Sequence, residues 1–339
     1  MSPAHFSNFF RQGILTVIGM ALLSTAGLSA AQETLRAAHS SNPGQSVYIY
    51  WEELAKRVNE KAQGKLKIQV FPSGQLGADE QIIQAIKAGT VHMGSASNGN
   101  MGSTTDAYFW MDLPHVFQSR DSALRALNDN YVKSYLGNKV RTDARAVVLG
   151  NIEVGGFRIL ANRKREIKVP ADTKGMKFRS LPSPVDRALW EAWGATPSPL
   201  PWSETFVSLE QGVIDGVNLQ PQALVGFKFD DVVKYGTMTN TLMAFHVALM
   251  NAQTWDRFTP EMRTIVSTAA NEALQVANDA DRRDEAGFVK QMEARGIKFY
   301  RPTAAESKSW SDAARAIWPK FDDKINKELL NRVLSAQAS

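Results

Sequence analysis

Cysteine is absent from all 339 residues, which excludes disulfides, thiolate nucleophiles, iron–sulfur clusters and cysteine zinc sites together. Histidine is scarce. The five are His5, His39, His92, His115 and His246, and they form neither a His-Glu-x-x-His helix motif nor a close zinc pair. No Gly-x-Ser-x-Gly elbow occurs, no serine is followed three residues on by lysine, and there is no P-loop or dinucleotide glycine fingerprint. Adjacent carboxylates occur at Asp79-Glu80 and Asp230-Asp231. Neighbouring positions diverge on a helix or strand, so these are expected on a solvated surface. Nothing in the sequence requires catalysis. Charge of one sign is also lacking: Lys+Arg 39 against Asp+Glu 34 gives +5 with no dense basic tract, and nucleic-acid binding is not expected.

The one apolar run of note, Ile14–Leu23, is ten residues long and follows Arg11. A bilayer-spanning helix needs about 20. Small residues follow, and Ser29-Ala30-Ala31 before Gln32 fits a signal-peptidase site. Residues 1–31 are therefore expected to be a signal peptide cleaved near Ala31, with an uncleaved anchor as the alternative. The mature protein is expected in the periplasm, exported and soluble.

Apolar residues make up 44% and charged residues 22%, a globular composition, and the length favours two cores. Leu35–Ala38 reads as a strand. Val47, Trp51, Leu54, Ala55, Val58 and Ala62 form a helical stripe. Leu66, Ile68 and Val70 alternate as a strand, Ile82, Ile83 and Ile86 mark a short helix, and Val91–Met93 a further strand. That order predicts an α/β layer with a largely parallel sheet. A single helix is expected near Asp121–Val140. The stretch Pro170–Pro201 repeats the strand–helix unit, so a second α/β domain is expected from about residue 156. Thr259-Pro260-Glu261 opens a helix with a capping residue and proline at the first position. No proline or glycine follows until Gly287, and the pattern continues to Gly296. Such a helix is on the order of 50 Å long and is expected to brace both lobes. The expected division is 32–155 with about 242–280 in the first lobe, and 156–241 with about 281–335 in the second.

Three segments carry a family resemblance: Phe71-Pro72-Ser73-Gly74-Gln75-Leu76-Gly77, Gly175-Met176-Lys177-Phe178-Arg179, and Leu209-Glu210-Gln211-Gly212-Val213-Ile214-Asp215-Gly216. Asp112-Leu113-Pro114-His115-Val116-Phe117 and Pro199-Leu200-Pro201-Trp202-Ser203-Glu204 are weaker matches. In this order the chain resembles the dicarboxylate-type solute-binding proteins of tripartite ATP-independent periplasmic (TRAP) transporters. The resemblance implies an α/β, two-lobed periplasmic binding protein fold with hinge strands. It implies an organic acid ligand and two membrane partners, the small and large subunits of a TRAP permease. It implies no enzyme activity and no cofactor, and a monomer is expected. A ligand-presenting sensor and an exported isomerase or lyase are the alternatives.

In that family the arginine ending the Gly-Met-Lys-Phe-Arg segment pairs with the substrate carboxylate. Here it is Arg179, and a planar guanidinium matches a carboxylate with two parallel hydrogen bonds. Arg158 occupies the place of a second binding arginine, and Asn218 matches an asparagine that reaches the ligand. The segment Gly216-Val217-Asn218-Leu219-Gln220 departs from the usual Gln-Glu-Asn-Pro after the glycine. His39 and Asn42 follow the first strand, where α/β sites gather. Ser97, Asn98 and Asn100 could supply neutral hydrogen bonds, with Gln75 and Glu80 at the cleft edge. Trp110 and Tyr108 are candidates for the pocket lining, whereas Trp190, Trp193, Trp202 and Phe206 read as packing of the second core. No dense carboxylate loop argues for calcium or another ion. The substrate expected is a monocarboxylate with a polar or aromatic body.

Overall fold

β1 (Glu33–Ala38) begins the described part of the chain, residues 32–337 of this computed structural model. The expected leader lies outside the described residues. Leu35, Ala37 and Ala38 of β1 are fully buried. α1 (Ser46–Lys61) follows and buries the stripe Val47, Tyr50, Trp51, Leu54, Ala55 and Val58. β2 (Leu66–Phe71) pairs parallel with β1 along its whole length. α2 (Asp79–Ala88) ends at Gly89, which takes the left-handed conformation of a C-cap. β3 (Met93–Ser97) starts where the expected strand Val91–Met93 ends. Its small residues are there for contact: a Cβ at Gly94 would stand 2.6 Å from the Ala38 carbonyl and 2.8 Å from Ile82. A run of small residues gives no apolar alternation to read.

The single helix expected at Asp121–Val140 is two, α3 (Arg120–Asn128) and α4 (Asn130–Ala144). Asp129 divides them because its carboxylate accepts from the N–H groups of Tyr131 and Val132, an N-cap that starts a new helix. β4 (Ala146–Phe157) then crosses to the second sheet, entering it as β5 (Ile159–Asn162). β6 (Lys177–Ser180), α5 (Pro184–Trp193), β7 (Thr196–Pro199), α6 (Trp202–Glu210), β8 (Gly216–Leu219), α7 (Pro221–Gly226) and β9 (Tyr235–Thr237) build that layer. β10 (Met243–Asn251) returns to the first sheet and leads into α8 (Ala252–Arg257).

The first sheet has the order β2-β1-β3-β10-β4 and the second β11-β9-β5-β8-β6-β7, where β11 is Lys298–Tyr300. Each is largely parallel, as expected, with a single strand running against the rest. β10 runs antiparallel to both β3 and β4, and β5 antiparallel to both β8 and β9. The reason is the double crossing, which delivers strands into each sheet against the direction of its βαβ units. The two crossings lie side by side as a hinge, Phe157 opposite Met243 and the Arg158 N–H donating to the Leu242 carbonyl at 2.8 Å.

α9 (Pro260–Ala294) is the expected long helix of 35 residues, capped by the Thr259 hydroxyl, which accepts from the Met262 N–H. Its alanine stripe Ala269, Ala270, Ala273 and Ala277 packs in the first-lobe core with Trp51 and Leu54, and Met292 packs in the second-lobe core with Leu209 and Phe229. It braces both lobes. α10 (Ala304–Arg315) stays with the second lobe, Trp310 lying edge-on to Trp193 at 4.8 Å. α11 (Lys327–Ser335), expected there too, instead buries Leu329 and Val333 in a cluster with Leu127, Val132 and Leu136 of α3 and α4. The Gln118 N–H beside α3 donates to Gln337.

Gly287 sits inside α9, exposed, and a Cβ there would meet no atom within 4 Å. Glycine in a helix interior costs about 1 kcal/mol against alanine. Gly287→Ala is therefore expected to raise unfolding free energy by about 1 kcal/mol, measured as a higher urea midpoint at unchanged slope.

Candidate functional site

The carboxyl ends of β1, β3, β6 and β8 converge on a cavity of about 80 Å³ between the two sheets, the position where parallel α/β strands leave room for a ligand. Ser40, Ser41 and Gln45 follow β1, Asp79 opens α2, and Ser97, Asn100 and His246 complete the first-lobe wall. Arg179 and Leu181 at the end of β6, Asn218 to Gln220 at the end of β8, Trp202, and Gln222, Ala223 and Phe227 form the second. Val154 and Arg158 of the crossing segment close it. The lobes touch across the cleft: the Asn42 amide donates to the Gly226 carbonyl at 3.2 Å, and the Ser46 N–H donates to Gln222 at 3.0 Å.

The distinctive glycine segments position these walls. Asp215 accepts from the Lys177 N–H at 2.8 Å and fixes the start of β6. At Gly216 a Cβ would stand 2.5 Å from the Ala161 carbonyl and overlap the Phe178 ring, so only glycine lets β8 lie between β5 and β6. In the Pro72–Gly77 loop the N–H groups of Ser73 and Gly74 donate to the carbonyls of Ser41 and His39. That bond pair holds the loop after β1 against the cavity. These residues act on the site by building its frame.

Arg179 is 7% exposed. Its Nε donates to the Leu200 carbonyl at 3.2 Å, and its guanidinium lies 5.3 Å from the centre of the Trp202 ring, a cation–π contact. Its Nη2 is buried with no protein partner. Burial pushes its pKa down, opposed by Asp186 and Glu80, and arginine stays charged regardless. Arg158 is equally buried, with Nη1 3.9 Å from Asp186 and its Nε without a partner. Asn218 lines the cavity with its side-chain oxygen unpartnered. Asp79 accepts from the Ser40 hydroxyl at 2.6 Å, and from the Ser97 N–H and the Asn100 amide at 2.9 Å each.

Arg179, Arg158 and Asn218 are thus brought together on one cavity. Ser97 and Asn100 join them on the opposite wall, and the remaining expected site residues do not. His39 is fully buried behind the wall, its Nδ1 accepting from the Ser41 N–H, and burial with His246 nearby lowers its pKa to about 3. Asn98 spends both ends of its amide inside, donating to Asp112 at 2.9 Å and accepting from the Phe245 N–H at 3.0 Å. Burial raises that Asp112 carboxyl to about 7. Trp110 packs edge-on to Phe117 in the first-lobe core, with Tyr108 buried alongside. Gln75 is exposed on its loop. Glu80 faces a neighbouring crevice lined by Ser180 and Leu200, where burial raises its pKa and Arg179 opposes the shift.

Two further expectations change. Trp202 packs against Phe227 and Phe229 of the second-lobe core as expected but also lines the cavity, whereas Trp190 stacks on Phe178 at 4.5 Å wholly inside. Asp79 and Asp230, expected on the surface, are 3% and 5% exposed; Asp230 pairs with Arg295 at 3.0 Å. The lining also includes Gln45, Gln220, Gln222 and His246, which sequence reasoning missed. Gln220 directly follows β8, and its position at a strand's carboxyl end was the available signal. Gln222 and His246 had none.

Residues 37–324 match the family model described as DctP: Bacterial extracellular solute-binding protein, family 7. The chain is similar to the C4-dicarboxylate-binding periplasmic protein DctP of Vibrio cholerae, 28% identical over 333 residues that cover 95% of this chain and 98% of that one. It is 27% identical over 305 residues to the 2,3-diketo-L-gulonate-binding periplasmic protein YiaO of Escherichia coli, covering 88% and 89%. Its fold matches the crystal structure of a TRAP periplasmic solute-binding protein from Sulfurospirillum deleyianum with bound succinate. There the TM-score is 0.84 at 28% identity, covering 91% of this chain and 99% of that one. The clamp of two lobes, its crossing strands and the extent of these matches lead to one conclusion: the chain belongs to the bacterial extracellular solute-binding proteins of family 7, the periplasmic binding components of TRAP transporters, and it binds its solute without transforming it.

Proposed function

We propose that Arg179 anchors the carboxylate of an organic acid in this cavity, with Arg158 and Asn218 completing its contacts. The observation that supports this reading is the pair of unpartnered guanidinium N–H groups, Arg179 Nη2 and Arg158 Nε, buried on one closed cavity. A buried donor without an acceptor is costly, and a carboxylate supplies acceptors in the planar geometry a guanidinium fits. The relatives named above carry a C4-dicarboxylate, a diketo sugar acid and succinate in their descriptions, and a carboxylate is what these share. The protein acts as a monomer in the periplasm after cleavage near Ala31. Its lobes are 32–155 with about 242–280 and 156–241 with about 281–335, except that the last helix docks back on the first lobe. They close by rotation about the paired crossings near 157 and 242. The closed surface presents the acid to the small and large membrane subunits of a TRAP permease.

A thermal-shift screen of the ligand-stripped protein tests the reading. Carboxylates should raise the melting temperature in a concentration-dependent manner, because a ligand of the folded state alone stabilises by RT ln(1 + [L]/Kd). Neutral esters or amides of the same acids should not. A panel in which esters shift the protein as much as their acids would refute an anionic anchor.

A further inference from the structure

The rest of the cavity restricts which acid fits, provided the carboxylate sits on Arg179 as proposed above. Arg158 and Arg179 are the only cations among the described lining residues. They are already opposed: Asp186 faces both, Asp112 faces Arg158, Glu80 and Asp79 face Arg179, and Arg158 and Arg179 repel one another. His246 and His39 face Asp79, and burial holds both imidazoles neutral at pH 7. One added carboxylate meets open guanidinium donors. A second would reach the first-lobe wall, where Asp79 is the charge it meets, and a like-charge contact in a desolvated site is strongly unfavourable.

That wall offers acceptors instead. Asn100 is 4% exposed, and its Oδ1 is buried with no partner. Its orientation is set, because the other end of the amide donates to the Asp79 carboxylate, which can only accept. The Asn218 Oδ1 across the cleft is unpartnered as well. Buried acceptors of this kind are satisfied by hydroxyl hydrogens and left unpaired by methylenes.

We propose that the cavity selects a hydroxylated monocarboxylate and discriminates against the dicarboxylate of the same length. Calorimetric titration of the ligand-stripped protein with matched acids tests it: erythronate, butyrate and tartrate at four carbons, and gluconate, hexanoate and glucarate at six. The hydroxylated monocarboxylate of at least one set should bind about 100-fold more tightly than its dicarboxylate and about 10-fold more tightly than its deoxy counterpart. Equal or tighter binding of tartrate or glucarate would overturn the selectivity while leaving the carboxylate anchor standing. Binding of succinate, or of a keto or aromatic acid, with silence from both sets would do the same. Silence from every carboxylate would take the anchor down too. Asp186→Asn gives an independent arm, since it removes the one carboxylate that opposes both arginines. The preference over the dicarboxylate should shrink about 10-fold in that variant, and an unchanged preference with binding retained would contradict the charge argument.

Discussion

Arg179→Lys should weaken binding of the captured acid by about 100-fold or more, with little loss of stability in the unliganded protein. Lysine keeps the charge but not the fork. Each charge-assisted hydrogen bond contributes about 1.5–3 kcal/mol, and the substitution removes the planar pair that a carboxylate uses. It also removes the two contacts that aim the group, the Nε bond to the Leu200 carbonyl and the stacking on Trp202. The unliganded protein gives the complementary signature. Arg179 is buried with Nη2 unpartnered, a state that costs stability until a ligand arrives. Titration calorimetry with the cognate acid should show the loss of affinity, and the melting temperature without ligand should hold or rise. A variant that melts much lower but binds normally would make Arg179 a structural residue.

Arg120→Met should cost about 3 kcal/mol of unfolding free energy near pH 8 and less near pH 5. Arg120 bridges three carboxylates at the base of the hinge: Glu153 of β4 at 3.2 Å, and Asp281 and Glu285 of α9 at 3.2 and 2.6 Å. Glu153 is 2% exposed and Asp281 fully buried, whereas Glu285 is 39% exposed and contributes little. Methionine preserves the packing and deletes the cation, so the carboxylates repel one another. Burial already raises the Glu153 and Glu285 pKa values; Arg282 and Arg120 oppose the rise at Glu153 and Arg120 opposes it at Glu285, so without Arg120 both climb further. A carboxyl with its folded pKa above its unfolded one stabilises the fold at low pH and loses that contribution as pH rises through the folded value. The deficit of the variant therefore grows from pH 5 to pH 8. Urea unfolding at the two pH values measures it, and a deficit of equal size at both would show that lost packing dominates.

The elements readable from sequence are those set by local chemistry. The Thr259-Pro260 cap announces α9, and the stripe from Val47 to Val58 announces α1. What escaped depends on contacts distant along the chain. β3 is made of small residues because Ile82 and the Ala38 carbonyl press on Gly94, and the antiparallel place of β10 follows from a chain that crosses between sheets twice. At the site the split is similar. Arg158, Arg179 and Asn218 lie where motif and strand end coincide. Asn98 differs from Asn100 by two positions, yet the short 3-10 helix after β3 turns the first into the core and the second onto the cavity. Asp79 carried a surface expectation because adjacent carboxylates diverge along a helix or strand, yet three donors from separate elements hold it inside.

The most direct test of the central claim is a crystal structure of the protein with its acid bound. A carboxylate is expected in two parallel N–H···O bonds with the Arg179 guanidinium, with Nη2 satisfied by it. An acid found elsewhere, or seated in the cavity with Nη2 still unpartnered, would contradict it.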